Sequence, residues 1–167
     1  MQSRFVQERH KQLIALQRPR ELVVACPPMR SNVNLSRIVR TASCCGVPRM
    51  ICCGNAKIDR EIARETGDSI AIEIHRTLPS VLKRFRQNGF QLVGLEQTSA
   101  STSLFDYRFP RKTVLVVGNE RVGIEPETLA LLDAAVEIPM YGLPYAHNAA
   151  TAAAMALYEY CRQFPQG

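Results

Sequence analysis

The first candidate site in this sequence is residues 34–42, where two arginines follow an asparagine. Arg37 and Arg40 are three residues apart and share one edge of a predicted amphipathic helix. Their guanidinium groups could stabilise negative charge or hold a phosphate. Asn34 could cap the start of the helix. An ordinary helix with a solvated basic edge has the same pattern, so both interpretations stay open at this point.

A second candidate site follows the continuous apolar run of residues 113–117, which ends in Gly118. Ligands of open α/β sheets bind at the carboxyl ends of strands, and glycine lets a ligand approach the backbone. Asn119, Glu120 and Gly123 follow closely. A tight turn with a charged tip would have the same composition, so a ligand site and a simple turn are both possible here.

The third candidate site is a loop that follows Ile138. Two prolines and a glycine restrict the path of the loop. It leads through Asn148 into a helix that begins almost entirely with alanine, and such small side chains allow a backbone or a ligand to approach closely. The structural alternative is a rigid loop in which Asn148 is only a helix cap.

Other catalytic patterns are missing from the sequence. It contains no GxGxxG, P-loop, HExxH or GxSxG motif. His10, His75 and His147 lack the spacing of paired metal ligands. Six cysteines include two adjacent pairs between residues 44 and 53, but zinc sites favour a gap between paired ligands. We therefore expect no metal, and we expect the thiols to act as small buried hydrophobic groups.

Composition limits the class of protein. The 167 residues are 46% hydrophobic and 22% charged, which suits a single globular domain over residues 1–167. The net charge of +6 favours a polyanionic partner such as nucleic acid. The start of the chain lacks the apolar run of a signal peptide, and no apolar run reaches the roughly 20 residues that span a bilayer. We expect a cytoplasmic protein that does not enter a membrane.

Apolar runs of strand length alternate with helical patterns along the chain. This alternation predicts an α/β fold with a mostly parallel sheet, and residues 1–17 are predicted to form a helix outside it. The predicted strands are residues 22–25, 49–53, 70–74, 91–95, 113–117 and 135–138. The predicted helices are residues 35–45, 58–66, 78–87, 126–132 and 148–162, with Asn32 or Asn34 capping the first and Gly67 ending the second.

In this order and at this spacing, the three candidate sites resemble the signature motifs of the SpoU branch of the SPOUT RNA methyltransferases. The resemblance extends over residues 22–160. It implies an α/β sheet with helices on both faces and a deep trefoil knot in the C-terminal part, an exception to the rule that protein chains are unknotted. It also implies a homodimer whose active site is shared between subunits. The matching residues are Asn34 to Arg40 with Gly46, Val117 to Glu120 with Gly123, and Ile138 to Met140 with Gly142 and Asn148.

The resemblance implies a role for individual residues. Arg40 would stabilise charge at a ribose 2′-hydroxyl or hold a nearby phosphate, and Asn34 would support it. Glu120 and Asn148 would complete the catalytic set. The implied cofactor is S-adenosylmethionine, in a pocket formed by strand ends and knotted loops. Its predicted contacts are Leu95, Glu96, Gln97, Gly118, Ile138, Met140 and His147.

The implied substrate is RNA, and a chain with little added RNA-binding apparatus favours transfer RNA over ribosomal RNA. One departure from the family is that its usual Ser-Leu-Asn is Ala146-His147-Asn148 here. The missing serine hydroxyl keeps open an alternative, a non-catalytic or weakly catalytic SPOUT-like RNA-binding protein. A nucleotide-binding α/β protein unrelated to RNA is disfavoured by the missing phosphate loop and the basic charge.

Overall fold

A seven-stranded sheet forms the centre of the chain in the computed structural model, which describes residues 4–64, 66 and 69–167. The strands are β1 (Leu22–Cys26), β2 (Arg49–Cys53), β3 (Ala71–His75), β4 (Gln91–Leu95), β5 (Thr102–Ser103), β6 (Thr113–Val117) and β7 (Ala134–Glu137). The helices are α1 (Asn32–Cys44), α2 (Arg60–Ala63), α3 (Leu78–Gln87), α4 (Pro126–Leu129) and α5 (Ala149–Gln163). The spatial order is β3-β2-β1-β6-β4-β7-β5 with parallel neighbours. The predicted α/β class is confirmed.

The sheet is covered on both faces because side chains of each strand alternate between two cores. Leu22, Val24 and Cys26 of β1 pack on the face that carries α1 and α5. Val23 and Ala25 pack on the opposite face, which carries α3 and α4. A parallel strand covered on both sides must be apolar along its whole length, which is why β1 and β6 are continuous apolar runs.

The connections leave β1 and β6 in opposite directions along the sheet. β1 leads through α1 to β2 on one side, whereas β6 leads through α4 towards β7 on the other. A crevice opens at the carboxyl ends of two strands where the direction of winding changes in this way, and ligands of α/β proteins bind there. The topology therefore places a potential ligand site beside the ends of β1 and β6.

Helix α1 begins earlier than predicted because its cap is Ser31. The Ser31 hydroxyl accepts a hydrogen bond from the backbone N–H of Asn34 at 3.2 Å. The prediction of Asn32 or Asn34 as the cap was wrong, and Asn34 is left with a free side chain for another contact. Asn148 does cap α5, since its side-chain oxygen accepts from the backbone N–H groups two and three residues further on.

The helix predicted for residues 1–17 is absent from residues 4–17, and residues 1–3 lie outside the described part. Leu13 and Ile14 are 89% and 85% exposed, so the segment buries no apolar face. A short helix without such burial is only marginally stable in water. Of the helices in the described part of the chain, none is long and apolar enough to cross a membrane.

Smaller differences from the predicted elements include two shortened helices and one additional strand, and the ends of β1, β3, β7 and α5 differ from the prediction by one residue. The helix predicted for residues 58–66 is reduced to α2, which ends before Arg64, a residue with φ of 57°. Gly67, its predicted end, lies outside the described residues. Helix α4 is likewise shorter than predicted. Strand β5 was not predicted, because its two polar residues carry no apolar pattern.

Four of the six cysteines are buried, as expected of small hydrophobic side chains. These are Cys26, Cys45, Cys52 and Cys53. Burial raises the pKa of Cys52 to about 12, so this thiol stays protonated at neutral pH. Cys44 is exposed and Cys161 is half-buried, so the expectation fails for these two.

Candidate active site

A cleft of about 420 Å³ opens at the carboxyl ends of β4, β6 and β7. Leu95 ends β4, Val117 ends β6 and Ile138 follows β7. Asn34 of α1 and the first turn of α5 complete the lining. The volume lies within the roughly 300–1,000 Å³ of small-molecule sites. The cleft lies at the carboxyl ends of strands, as ligand sites of α/β sheets do, but on the β4 and β7 side of β6 and not between β1 and β6.

The structure brings together at this cleft all of the predicted site residues except Arg40. The lining includes Asn34, Glu120 and Asn148 from the predicted catalytic set. It also includes Leu95, Glu96, Gln97, Gly118, Ile138, Met140 and His147, the predicted cofactor contacts.

Three of the lining side chains form a chain of hydrogen bonds, hereafter the relay. Asn148 Nδ2 donates to Asn34 Oδ1 at 3.1 Å, and Asn34 Nδ2 donates to Glu120 Oε1 at 3.1 Å. The carboxylate accepts only, so Asn34 must direct its NH₂ at Glu120 and its oxygen at Asn148. Asn148 must then donate its NH₂, which leaves its oxygen to cap α5. The relay joins the three sequence segments through one consistent set of donors and acceptors.

Glu120 is held as a carboxylate. Burial alone would raise its pKa, but hydrogen bonds from the backbone N–H groups of Arg30 and Ser31, at 2.9 and 3.1 Å, and from Asn34 outweigh burial and lower the pKa. A carboxylate of lowered pKa that already accepts three hydrogen bonds is a weak proton acceptor at neutral pH. The hydrogen bonds of Glu120 indicate instead that it orients Asn34 and the backbone of residues 30 and 31.

Asn119 shapes the loop that follows β6, a role that the sequence interpretation did not assign to it. Its backbone exchanges two hydrogen bonds of 2.9 Å with Gly123. Its side-chain oxygen accepts from the backbone N–H groups of Arg121 and Val122, and its NH₂ donates to the carbonyl of Pro28 at 2.8 Å. This role could have been predicted, because the side chain of asparagine often forms a hydrogen bond to the backbone two residues further on.

Gly118 lies where the end of β6 touches its own following loop. A Cβ atom at Gly118 would lie 3.0 Å from the Cα of Gly123 and 3.2 Å from Glu96 Oε2. The same Glu96 oxygen accepts from the backbone N–H of Ile124 at 2.9 Å, and so links β4 to this loop. Glycine at position 118 is therefore needed for packing within the protein, independently of any ligand.

The segment between Ile138 and Asn148 lies at the rim of the cleft. Tyr141 and Tyr145 are 94% and 79% exposed. Ala146 and His147 are exposed too, and both line the cleft. The departure from the family pattern therefore falls at the rim, and the hydrogen bonds of Asn148 are intact beside it.

Arg40 lies apart from the relay. Its side chain is exposed on α1 and is not among the residues that line the cleft. Six residues separate it from Asn34, which corresponds to about 9 Å along an α-helix and a rotation of roughly 600°. The two side chains therefore do not share a helix face, and a single copy of the chain does not bring Arg40 to the cleft.

The fold and the cleft are those of an RNA methyltransferase of the SpoU type. The model of the SpoU rRNA Methylase family matches residues 21–158, and the chain belongs to this family. The tRNA (guanosine(18)-2′-O)-methyltransferase of Aquifex aeolicus is 32% identical over 150 residues, which are 87% of this chain and 71% of that protein. The enzyme of the same name from Escherichia coli (strain K12) is 28% identical over 155 residues, 91% of this chain and 67% of that protein.

Solved structures of the family have the same fold. The A. aeolicus TrmH/SpoU tRNA modifying enzyme superposes with a TM-score of 0.84 and 31% identity, covering 90% of this chain and 79% of that chain. The SpoU methyltransferase AviRb from Streptomyces viridochromogenes, solved in complex with the cofactor AdoMet, has a TM-score of 0.75 and 27% identity. That match covers 91% of this chain and 64% of that chain.

Proposed function

We propose that this RNA ribose 2′-O-methyltransferase binds S-adenosylmethionine in the cleft and methylates transfer RNA. The observation that carries the proposal is the relay, because Asn148, Asn34 and Glu120 come from three distant segments and meet at one cleft. The similar proteins named above act on tRNA, and one solved relative contains AdoMet. Both support the choice of cofactor and substrate.

The residues of the cleft fit S-adenosylmethionine. Leu95, Ile138 and Met140 offer apolar surface to an adenine ring, whereas Glu96 and Gln97 offer polar groups to ribose hydroxyls and amines. The cofactor, when bound, supplies an electrophilic methyl group on a positively charged sulfur. The ionised Glu120 provides a negative charge at the same cleft.

A ribose hydroxyl is a weak nucleophile. As its oxygen takes the methyl group, the bond from that group to the cofactor sulfur would break and the hydroxyl proton would pass to solvent water. We assign Glu120 and Asn34 to positioning, because their polar atoms are occupied by the relay. Arginine stays protonated in proteins, so Arg40 acts by stabilising developing negative charge and by holding a phosphate.

The proposal includes a homodimer in which Arg40 of one copy reaches the cleft of the other. The Arg40 side chain is exposed and makes no hydrogen bond or ion pair with the described part of the chain, so it is available to a second copy. A single domain over residues 1–167, the trefoil knot in its C-terminal part and a cytoplasmic location belong to the same proposal, which follows the family here.

The test is transfer of a labelled methyl group from S-adenosylmethionine to transfer RNA and, separately, to ribosomal RNA. Digestion of the RNA to nucleosides should yield label in a 2′-O-methylated nucleoside of transfer RNA. Label in a methylated base would contradict ribose as the target, and label only in ribosomal RNA would contradict the substrate. Cofactor binding without transfer to any RNA would favour a non-catalytic RNA-binding protein.

A further inference from the structure

Several cations face solvent on α1, on α2 and on the chain segments next to them. Residues 30–68 contain seven lysines and arginines against four carboxylates, Asp59, Glu61, Glu65 and Asp68. Asp59 is engaged in capping α2. Apart from Arg40, which the proposed function already uses, and the ion-paired Arg49, the exposed cations are Arg30, Arg37, Lys57, Arg60 and Arg64, hereafter the basic surface.

A buried serine attaches the basic surface to the helix that carries Asn34. Ser36 is fully buried, and its hydroxyl donates to the carbonyl of Asn32 at 2.6 Å and accepts from the backbone N–H of Asp59 at 2.8 Å. The Asn32 side-chain oxygen also accepts from the backbone N–H of Lys57 at 3.4 Å. The segment that carries Lys57 and leads into α2 therefore has a defined position relative to the relay.

The basic surface begins at the relay itself. The backbone N–H of Arg30 donates to Glu120, and Asn32, which contacts Lys57, lies two residues from Asn34. The chain segments that carry Arg30 and Lys57 are therefore held next to Glu120 and to the first turn of α1.

The cations of the basic surface have no ion-pair partner among the described residues. The Lys and Arg side chains that do form such pairs lie elsewhere, namely Arg49, Arg86, Lys112 and Arg162. A group of unpaired exposed cations concentrates counterions, and these are released when a polyanion binds. This is the electrostatic requirement for holding a phosphate backbone.

We propose that the basic surface binds the phosphate backbone of the RNA substrate and directs the RNA to the cleft. The inference rests on the proposed function. Contacts to phosphate position a nucleic acid without reading its sequence, so the surface contributes affinity and orientation, and the choice of nucleotide is made elsewhere.

The test compares two double variants that remove the same charge. Lys57→Ala/Arg60→Ala alters the basic surface, whereas Lys83→Ala/Arg84→Ala alters exposed residues of α3 on the opposite face of the sheet. In the first, RNA affinity at low salt should fall about tenfold, and the slope of log affinity against log salt should become shallower by about 1.4 for two lost single-strand contacts. The α3 variant should bind RNA like the unchanged protein.

Two further measurements separate charge from folding. S-adenosylmethionine affinity, measured by calorimetry, should be unchanged in both double variants, which shows that the cleft is intact. The charge-preserving variant Lys57→Arg/Arg60→Lys should retain most of the RNA affinity, because phosphate contacts at an exposed surface depend mainly on charge.

Three outcomes would overturn the proposal. If Lys57→Ala/Arg60→Ala binds RNA normally while the unchanged protein methylates RNA, the basic surface does not bind the substrate. The proposed function would be unaffected by that result. Equal losses of RNA affinity in both double variants would mean that affinity depends on the net charge of the protein and not on the position of the basic surface. If the unchanged protein neither binds nor methylates RNA, the proposed function fails and the surface assignment fails with it.

Discussion

Asn148 donates a hydrogen bond from its side-chain amide to the side-chain oxygen of Asn34 at 3.1 Å, although 114 residues separate them in the chain. One residue caps α5 and the other lies in the first turn of α1. The contact joins two helices on the same face of the sheet, next to the cleft. Because Asn34 also donates to Glu120, a change at any one of the three side chains alters the position of the other two.

The variant Asn148→Asp should keep the cap of α5 but break the relay. A carboxylate still accepts from the first turn of the helix, and its charge suits a helix N-terminus. It has no N–H to donate to Asn34. A lost hydrogen bond of about 0.5–1.5 kcal/mol corresponds to a decrease of up to about tenfold in methyl transfer. Single-turnover kinetics would measure this decrease, and the free energy of unfolding should fall by no more than the contribution of this one hydrogen bond.

The matched variant Asn148→Ala loses both contacts. It should show the same decrease in methyl transfer and, in addition, a free energy of unfolding lower by about 1 kcal/mol from the lost cap. Full activity in Asn148→Asp would mean that the contact to Asn34 is not needed for catalysis.

Glu120 should make stability depend on pH in the acid range. Its pKa in the folded protein lies below its ordinary value of 4.5, so the unfolded chain takes up the proton more readily. The stabilisation is therefore complete above about pH 4.5 and is lost as the pH falls through the lowered folded-state pKa. Urea unfolding of the unchanged protein and of Glu120→Gln should give free energies that converge in acid. A difference that stays constant from pH 7 to acid would contradict a role for the charge.

Arg40→Ala and Arg40→Lys should both abolish methyl transfer and leave cofactor binding intact. Arg40 lies outside the cleft of its own chain, and lysine lacks the planar fork of donors that arginine offers. The decisive measurement is co-expression of Arg40→Ala with Gly118→Val, each inactive alone. If Arg40 acts across a two-fold dimer, mixed dimers contain one intact site, and about a quarter of the activity should return. If no activity returns on co-expression, Arg40 does not act in the cleft of a second copy.

Gly118→Ala should weaken S-adenosylmethionine binding strongly, and Gly118→Val should abolish it. The added Cβ would lie 3.0 Å from Gly123, so the loop after β6, which lines the cleft, must shift. Calorimetry measures the loss. The control is Gly89→Ala, which has no atom within 4 Å of its Cβ and a φ of +83°. It should cost about 1–2 kcal/mol of stability from its backbone conformation and bind the cofactor normally. Normal binding by Gly118→Val would show that the loop tolerates the shift.

The sequence alone determined the fold class and the positions of most strands, whereas the order of the strands in the sheet came only from the structure. Strands β2, β4 and β6 have the bounds that their apolar runs predicted. The reason is physical, since a parallel strand covered on both faces must be apolar throughout, and this requirement leaves a continuous signal. Strand β5 escaped prediction because two polar residues at a sheet edge leave no such signal.

Helix ends and the N-terminal segment were less predictable, because they depend on competition between neighbouring groups. Ser31, Asn32 and Asn34 are all suitable caps by residue type, and only the folded geometry selects Ser31. Residues 4–17 contain apolar side chains at a spacing that allows a helix, yet Phe5, Val6, Leu13 and Ile14 are left exposed and only Leu16 is partly covered. Helix stability in such a segment comes from packing, which the local pattern does not contain.

The sequence also determined which residue types stand at the site. Asn34 lies at the start of a predicted helix, Glu120 follows a predicted strand, and Asn148 begins another predicted helix. Only the tertiary structure decided how they meet. Asn34 lies 86 residues from Glu120 and 114 from Asn148, and the packing of α1 beside α5 and β6 brings both within 3.1 Å. The same helix geometry turns Arg40 away, because each residue of α1 rotates its side chain by about 100°. Directions of this kind arise from the way that distant elements pack, and no local pattern specifies them.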